Sequence, residues 1–247
     1  ISMNFANAGI PVTMIEQNAE SLERGMATIK KNYAATVSKG RLTQDALEKR
    51  LVRITPSTRI EDLQQVDIII EAIYEEMPAK KEIFSRLDTI AKPDVVLTSN
   101  TSYLDVNEIA ESVPNRKGVV LGTHFFSPAN VMRLLEVVRT DTVDDDVLMG
   151  VLDLGRKMGK LPIVSGVCHG FIGNRMLEGY FGEAAIMVEE GIEPSRIDRV
   201  MYDFGMAMGP LAVSDLAGLD IGWAKRKAAG GGHAADVPGA FLSNRLC

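Results

Sequence analysis

Cysteine is scarce. Two residues in 247 exclude a disulfide scaffold and fit a reducing compartment. Histidine is scarce too, with three residues and no Cys/His cluster of the kind a zinc site needs, so no metal is expected. Basic charge is not in surplus: 27 Lys and Arg stand against 33 Asp and Glu, a net charge of −6. Nucleic acid is therefore not expected as a partner. No uncharged apolar run approaches the roughly 18 residues of a membrane span, and no basic segment followed by an apolar stretch marks a signal peptide. The expected location is a bacterial cytoplasm or an organelle matrix. What is present is a chain 46% hydrophobic and 24% charged, enough apolar material for a sizeable core. At roughly 100–200 residues per domain, the length allows one large domain or two smaller ones.

The chain opens with Ile1 rather than Met and reads as the middle of a motif. Ile1, Phe5 and Ala8 share one face at helical spacing, Gly9 suits the left-handed position after a helix end, and Pro11 stops continuation. Val12 to Ile15 then reads as a strand ending at Glu16. A helix feeding a strand that ends in an acid is the second half of a dinucleotide-binding βαβ unit, and the carboxylate can accept from the adenosine ribose hydroxyls. A solvated turn residue is the competing reading of Glu16. The glycine-rich turn for the pyrophosphate is expected just before Ile1, so the chain reads as a fragment, and weak NADH binding is expected of residues 1–247.

The rest divides into two regimes. Helices are expected over Ala19–Val37 and Thr43–Arg50, with Thr43 as N-cap, followed by a short strand Val52–Thr55 before Pro56. Ile68–Ile73 is a continuous apolar run, as a parallel strand covered on both faces requires. A helix over Pro78–Ala91, a strand Val95–Thr98, a short helix Val106–Ser112 and a strand Val119–Thr123 follow. The connection to Leu134–Val138 is too short for a parallel crossover, so that strand is expected to be antiparallel. A helix Asp144–Lys157 and a strand Leu161–Val164 complete the alternation. From Gly170 onward only helices are expected, over Asn174–Glu190, Pro194–Phe204, Leu211–Ala217 and Leu219–Lys227, with a break at Gly230 to Gly232. The fold class is therefore α/β: a Rossmann-like, doubly wound, mostly parallel sheet over 1–165, its first strand and glycine turn missing, then an all-helical domain over 166–247.

Three polar groups fall at the carboxyl ends of successive strands, the edge where open α/β sheets bind ligands. They are Glu75, Ser102 and His124, the last expected just after its strand. Glu136 lies across the tight connection and can face back toward the imidazole. A carboxylate on one imidazole nitrogen fixes the tautomer and raises basicity, as a general base needs. The competing readings are a satisfied core histidine and an ordinary strand charge. An acid inside Leu-Leu-Glu-Val-Val weakens the second, because a buried acid usually has a partner. Lys30, Lys31, Lys39 and Arg41 read as a solvated helix face. Cys168 reads as a small packed residue.

Ser99-Asn100-Thr101-Ser102, Gly122-Thr123-His124-Phe125-Phe126-Ser127-Pro128, Leu135-Glu136-Val137-Val138 and Gly170-Phe171-Ile172-Gly173-Asn174-Arg175 together resemble the L-3-hydroxyacyl-CoA dehydrogenase family. Asn4 to Gly9, His124 to Pro128 and Ser214 to Asp220 look closest to the dehydrogenase part of multifunctional fatty-acid oxidation enzymes. The resemblance implies NAD as cofactor and an acyl-CoA as substrate. It implies His124 as general base, Glu136 as its orienting partner, and Ser102 and Asn174 as hydrogen-bond partners of the reacting oxygen and its surroundings. It places Glu16 on the adenosine ribose, Glu75 and Ser102 near the cofactor, and Lys80 near the cofactor or CoA. Ser127 stands where single-domain members often have Asn, at a nucleotide contact. A homo-oligomer, or a place within a multidomain β-oxidation enzyme, is expected. The alternatives are a short-chain 3-hydroxybutyryl-CoA dehydrogenase and a non-catalytic protein of the same fold.

Overall fold

The computed structural model describes residues 1–217. The helix expected over Leu219–Lys227 and the glycine break after it lie outside the described residues. The chain divides into two compact units, Ile1–Phe171 and Ile172–Cys247.

The first unit opens with α1 (Ser2–Asn7) and β1 (Val12–Ile15), joined through Gly9 at φ +82°. A side chain disfavours that left-handed backbone, which explains glycine there. α2 (Ala19–Ser38) and α3 (Gln44–Leu51) follow, capped by the side chains of Asn18 and Thr43, which accept from Ser21 N and Ala46 N. β2 (Ile54–Ser57) pairs parallel with β1. This strand starts two residues later than expected and runs through Pro56, because Val52 is consumed in capping α3. Proline lacks an N–H and is tolerated where its strand has an open side; among the described residues β2 pairs only with β1.

A five-stranded sheet has the order β3 (Ile68–Glu71), β4 (Val96–Ser99), β5 (Val120–Phe125), β6 (Leu134–Arg139), β7 (Leu161–Gly166). Only the β5–β6 pair is antiparallel. Between these strands run α4 (Met77–Ile90), α5 (Val106–Ala110) and α6 (Asp145–Lys157). β3 is shorter than its apolar run: it ends at Glu71, and Ile73 beyond it is exposed.

Strand alternation divides the apolar side chains between two faces. Ile69, Leu97 and Val120 pack with Phe84 and Leu87 of α4 and Ile109 of α5. Ile68, Ile70, Val96 and Leu121 turn the other way, toward Phe5 of α1 and Leu148, Val151 and Leu152 of α6. Both faces are covered, which is why these strands are apolar without a period of two. The sheet is thus the parallel-dominated, helix-flanked layer expected of the α/β class.

β7 extends to Gly166, and Phe171 packs with Val106 and Val138. Cys168 is exposed rather than packed. The second unit contains α7 (Gly173–Glu189), α8 (Pro194–Phe204) and α9 (Pro210–Ala217). α8 stops at Gly205, φ +112°. No described helix is long and apolar enough to cross a membrane.

Gly122 in β5 is a close approach. A Cβ there would lie 2.7 Å from Val138 Cβ and 3.3 Å from Val106 Cγ2. Overpacking of this kind costs about 1–3 kcal/mol. Gly122→Ala is expected to lower the unfolding free energy by that amount in urea titration, with an unchanged m-value.

Candidate active site

The antiparallel register pairs Gly122 with Val138, Thr123 with Val137 and His124 with Glu136. Directly opposed residues project to the same face, so the imidazole and the carboxylate meet by construction. His124 Nδ1 lies 2.6 Å from Glu136 Oε2. His124 is 5% exposed and Glu136 0%. His124 lies within β5 rather than just after it, because the strand runs on through Phe125. The ring packs against Phe126 and Phe171, at centroid distances of 4.6 and 5.9 Å.

A carboxylate only accepts, so Nδ1 is the nitrogen that carries a proton. In a neutral ring Nε2 then holds the lone pair. Ser102 Oγ stands 3.3 Å from Nε2. The arrangement presents a proton-accepting nitrogen beside a hydroxyl, with the opposite side of the ring held by a buried acid. Chemically it can withdraw a proton from a hydroxyl-bearing ligand and stabilise the resulting imidazolium.

Ser102 is carried on the segment after β4. Glu75, in the segment after β3, accepts through Oε1 from Thr101 Oγ1 at 2.6 Å, Ser102 N at 2.7 Å and Tyr103 N at 3.1 Å. Asn100 Oδ1 accepts from Phe125 N at 2.9 Å, tying the same segment to the end of β5. Lys80 does not stand open at the edge. Its side chain is 1% exposed, and its ammonium sits 2.7 Å from Glu71 and 3.4 Å from Glu75.

The structure thus brings together Glu75, Lys80, Ser102, His124 and Glu136. Glu16 belongs to the other sheet. It is half-buried at the end of β1, its N–H donates to Ser57 O, and no described residue engages its carboxylate. Ser127 is exposed in the β5–β6 connection, before the cis bond to Pro128. Asn174 lies in the first turn of α7, in the second unit.

Two contributors escape the sequence reading. Glu71 is buried at the end of β3, and an acid closing an apolar run was its available signal. Lys160 is 7% exposed, and its ammonium donates to the carbonyls of Ala129 and Met132, the second at 2.7 Å. It therefore fastens the connection that bears Ser127. Burial pulls its pKa below the ordinary lysine value. A lone basic residue in Gly-Lys-Leu gives no such signal.

The profile of 3-hydroxyacyl-CoA dehydrogenase, NAD binding domain, matches residues 1–168, and that of the C-terminal domain matches residues 170–244. The peroxisomal bifunctional enzymes of Cavia porcellus and Homo sapiens are each 42% identical over 230 residues, covering 93% of this chain and 31% of theirs. The chain thus spans about a third of the length of these curated relatives. The crystal structure of 3-hydroxybutyryl-CoA dehydrogenase from Escherichia coli is 35% identical with a TM-score of 0.84, covering 90% of this chain and 48% of that one.

The donor set fits a nicotinamide dinucleotide. At the end of β1 no described residue engages the Glu16 carboxylate, and Glu75 and Ser102 place polar groups in the segments after β3 and β4.

The hydrogen-bonded ring makes a spectroscopic prediction. In nitrogen-15 NMR of the labelled protein, His124 is expected as the Nδ1–H tautomer, with its ring proton shifted downfield by Glu136. Glu136→Ala is expected to abolish that resonance. An Nε2–H tautomer in the unsubstituted protein would contradict the assignment.

Proposed function

The chain belongs to the 3-hydroxyacyl-CoA dehydrogenase family, and we propose that it oxidises (S)-3-hydroxyacyl-CoA to 3-ketoacyl-CoA as part of a multifunctional β-oxidation enzyme. The observation that carries this reading is the buried pair of His124 and Glu136, with Nε2 turned to Ser102. A non-catalytic protein of this fold has no need to bury an acid against a histidine at the ligand-binding edge.

In this reading His124 Nε2 takes the proton of the substrate 3-hydroxyl as C3 is oxidised. Positioned general bases contribute about 10²–10⁴ in rate. Glu136 keeps the ring in the accepting tautomer and stabilises the imidazolium. Ser102 hydrogen-bonds the reacting oxygen, and Asn174 its surroundings. NAD, when bound, supplies the hydride acceptor. Glu16 receives the adenosine ribose and disfavours the additional phosphate of NADP. Glu75 and Ser127 would help to hold the cofactor, with Lys80 holding Glu75. Residues 1–165 are assigned to the cofactor domain and 166–247 to the helical domain.

The relatives named peroxisomal bifunctional enzymes support the multifunctional context and the organelle-matrix location. The likeness to the bacterial 3-hydroxybutyryl-CoA dehydrogenase supports a second reading, an enzyme of short acyl chains.

The assay is NAD-linked oxidation of (S)-3-hydroxyacyl-CoA esters, from four-carbon to long-chain, by the protein carrying this chain. Sustained kcat/KM toward the long esters supports the first reading, and collapse beyond four carbons supports the second. No turnover with any ester overturns both. A hydrogen bond to a charged group is worth about 1.5–3 kcal/mol, so Glu16→Ala is expected to lower kcat/KM for NAD roughly 10–100-fold. The loss with NADP is expected to be smaller. Equal kcat/KM for the two cofactors in the unsubstituted protein would refute the role of Glu16.

A further inference from the structure

We propose that Glu71 is a positioning residue of this site: through Lys80 and Glu75 it sets the backbone that presents Ser102 to His124. The kinetic arm of the proposal rests on the dehydrogenase reading above; the structural arm does not.

Glu71 closes β3 and stands in register with Ser99 of β4. The side chains of Glu71 and Lys80 are each 1% exposed. Both carboxylate oxygens are engaged. Oε1 accepts from Lys80 Nζ at 2.7 Å and from Ile73 N at 2.7 Å, and Oε2 accepts from Ser99 Oγ at 2.6 Å. A buried ammonium requires a partner, so Glu71 fixes where Lys80 can sit.

Lys80 is shared. Its ammonium also lies 3.4 Å from Glu75 Oε2. The Glu75 side chain is 41% exposed, so burial alone does not hold it. The ammonium on one oxygen leaves the other to collect Thr101 Oγ1, Ser102 N and Tyr103 N. Ser102 Oγ then reaches His124 Nε2 at 3.3 Å. Glu71, Lys80, Glu75, Ser102, His124 and Glu136 thus form one polar chain across the ends of β3, β4, β5 and β6. Its end remote from His124 is Glu71, a buried acid whose carboxylate engages Lys80, Ile73 N and Ser99.

Glu71→Gln removes the charge and keeps the shape. Lys80 then has Glu75 as its remaining anionic partner, and Glu75 is drawn off the Ser102 and Tyr103 amides. The experiment is residue-resolved amide hydrogen exchange on the protein carrying this chain. Protection of the Ser102 and Tyr103 amides is expected to fall about tenfold or more, with the amides of β5 and α4 unchanged. Glu71→Gln/Lys80→Met removes both buried charges together, and the same local loss is expected. This keeps the test available if the single variant does not fold. Kinetically, Glu71→Gln is expected to lower kcat about tenfold, but less than about twofold in a Ser102→Ala background, since groups acting as one unit are non-additive.

Unchanged Ser102 and Tyr103 protection in a folded variant overturns the proposal. So does a kcat loss that multiplies fully with that of Ser102→Ala, or a fall in protection spread evenly over the sheet. An unsubstituted protein without NAD-linked turnover would instead overturn the dehydrogenase reading, and the exchange result would then decide the positioning role alone.

Discussion

The contact between His124 Nδ1 and Glu136 Oε2 constrains the architecture around it. A carboxylate with no exposed surface is costly to bury unless its charge is met. β5 and β6 meet it by register: one antiparallel pair in an otherwise parallel sheet puts the two residues opposite each other. A slip of β6 by one residue would turn Glu136 to the other face, away from His124 and among Leu148, Val151 and Leu152. The pairing therefore protects register, and register protects the pairing. Gly122, two residues earlier, lets Val138 close against β5 on the same ladder.

From this pair the site grows along the carboxyl edge of the sheet. The end of β4 and the segment after it contribute three polar groups, each engaged from a neighbouring element: Ser99 by Glu71, Asn100 by Phe125 N, Ser102 by Glu75. Apolar packing against α4, α5 and α6 fixes the strands, and the polar bonds fix the segments that leave them. Functional groups are thus borne on irregular backbone that a rigid layer positions. Lys160 serves the same end on the β5–β6 connection, by offering an ammonium to two carbonyls that no strand satisfies.

Much of the layer could be read from the residues. The apolar run at Ile68 announced a strand covered on both faces, those at Val95 and Val119 announced further strands, and Thr43 announced the start of a helix. The hairpin spacing from His124 to Glu136 announced their opposition, because a short antiparallel connection fixes register locally. β2 was misplaced because Pro56 reads as a stop, although an open strand side accepts it. Glu71 carried the same signal as Glu136, an acid in an apolar strand, but its cationic partner sits nine residues on, within a helix. The contacts of Glu75 with Thr101 and Tyr103, and of Lys160 with Ala129, join segments far apart in sequence. No periodicity or spacing encodes them, since they exist only after the strands have been ordered side by side.

The central claim is that His124 and Glu136 act as one proton-accepting unit. Its most direct measurement is the single-turnover rate of NADH formation in a double-mutant cycle on the protein carrying this chain. His124→Ala is predicted to slow that step about 10²–10⁴-fold, with acyl-CoA affinity nearly unchanged. Glu136→Gln is predicted to slow it too, and the double variant to be little slower than His124→Ala alone. A near-normal rate in His124→Ala would contradict the account outright. Strictly multiplicative losses would leave His124 as the base and remove Glu136 as its partner.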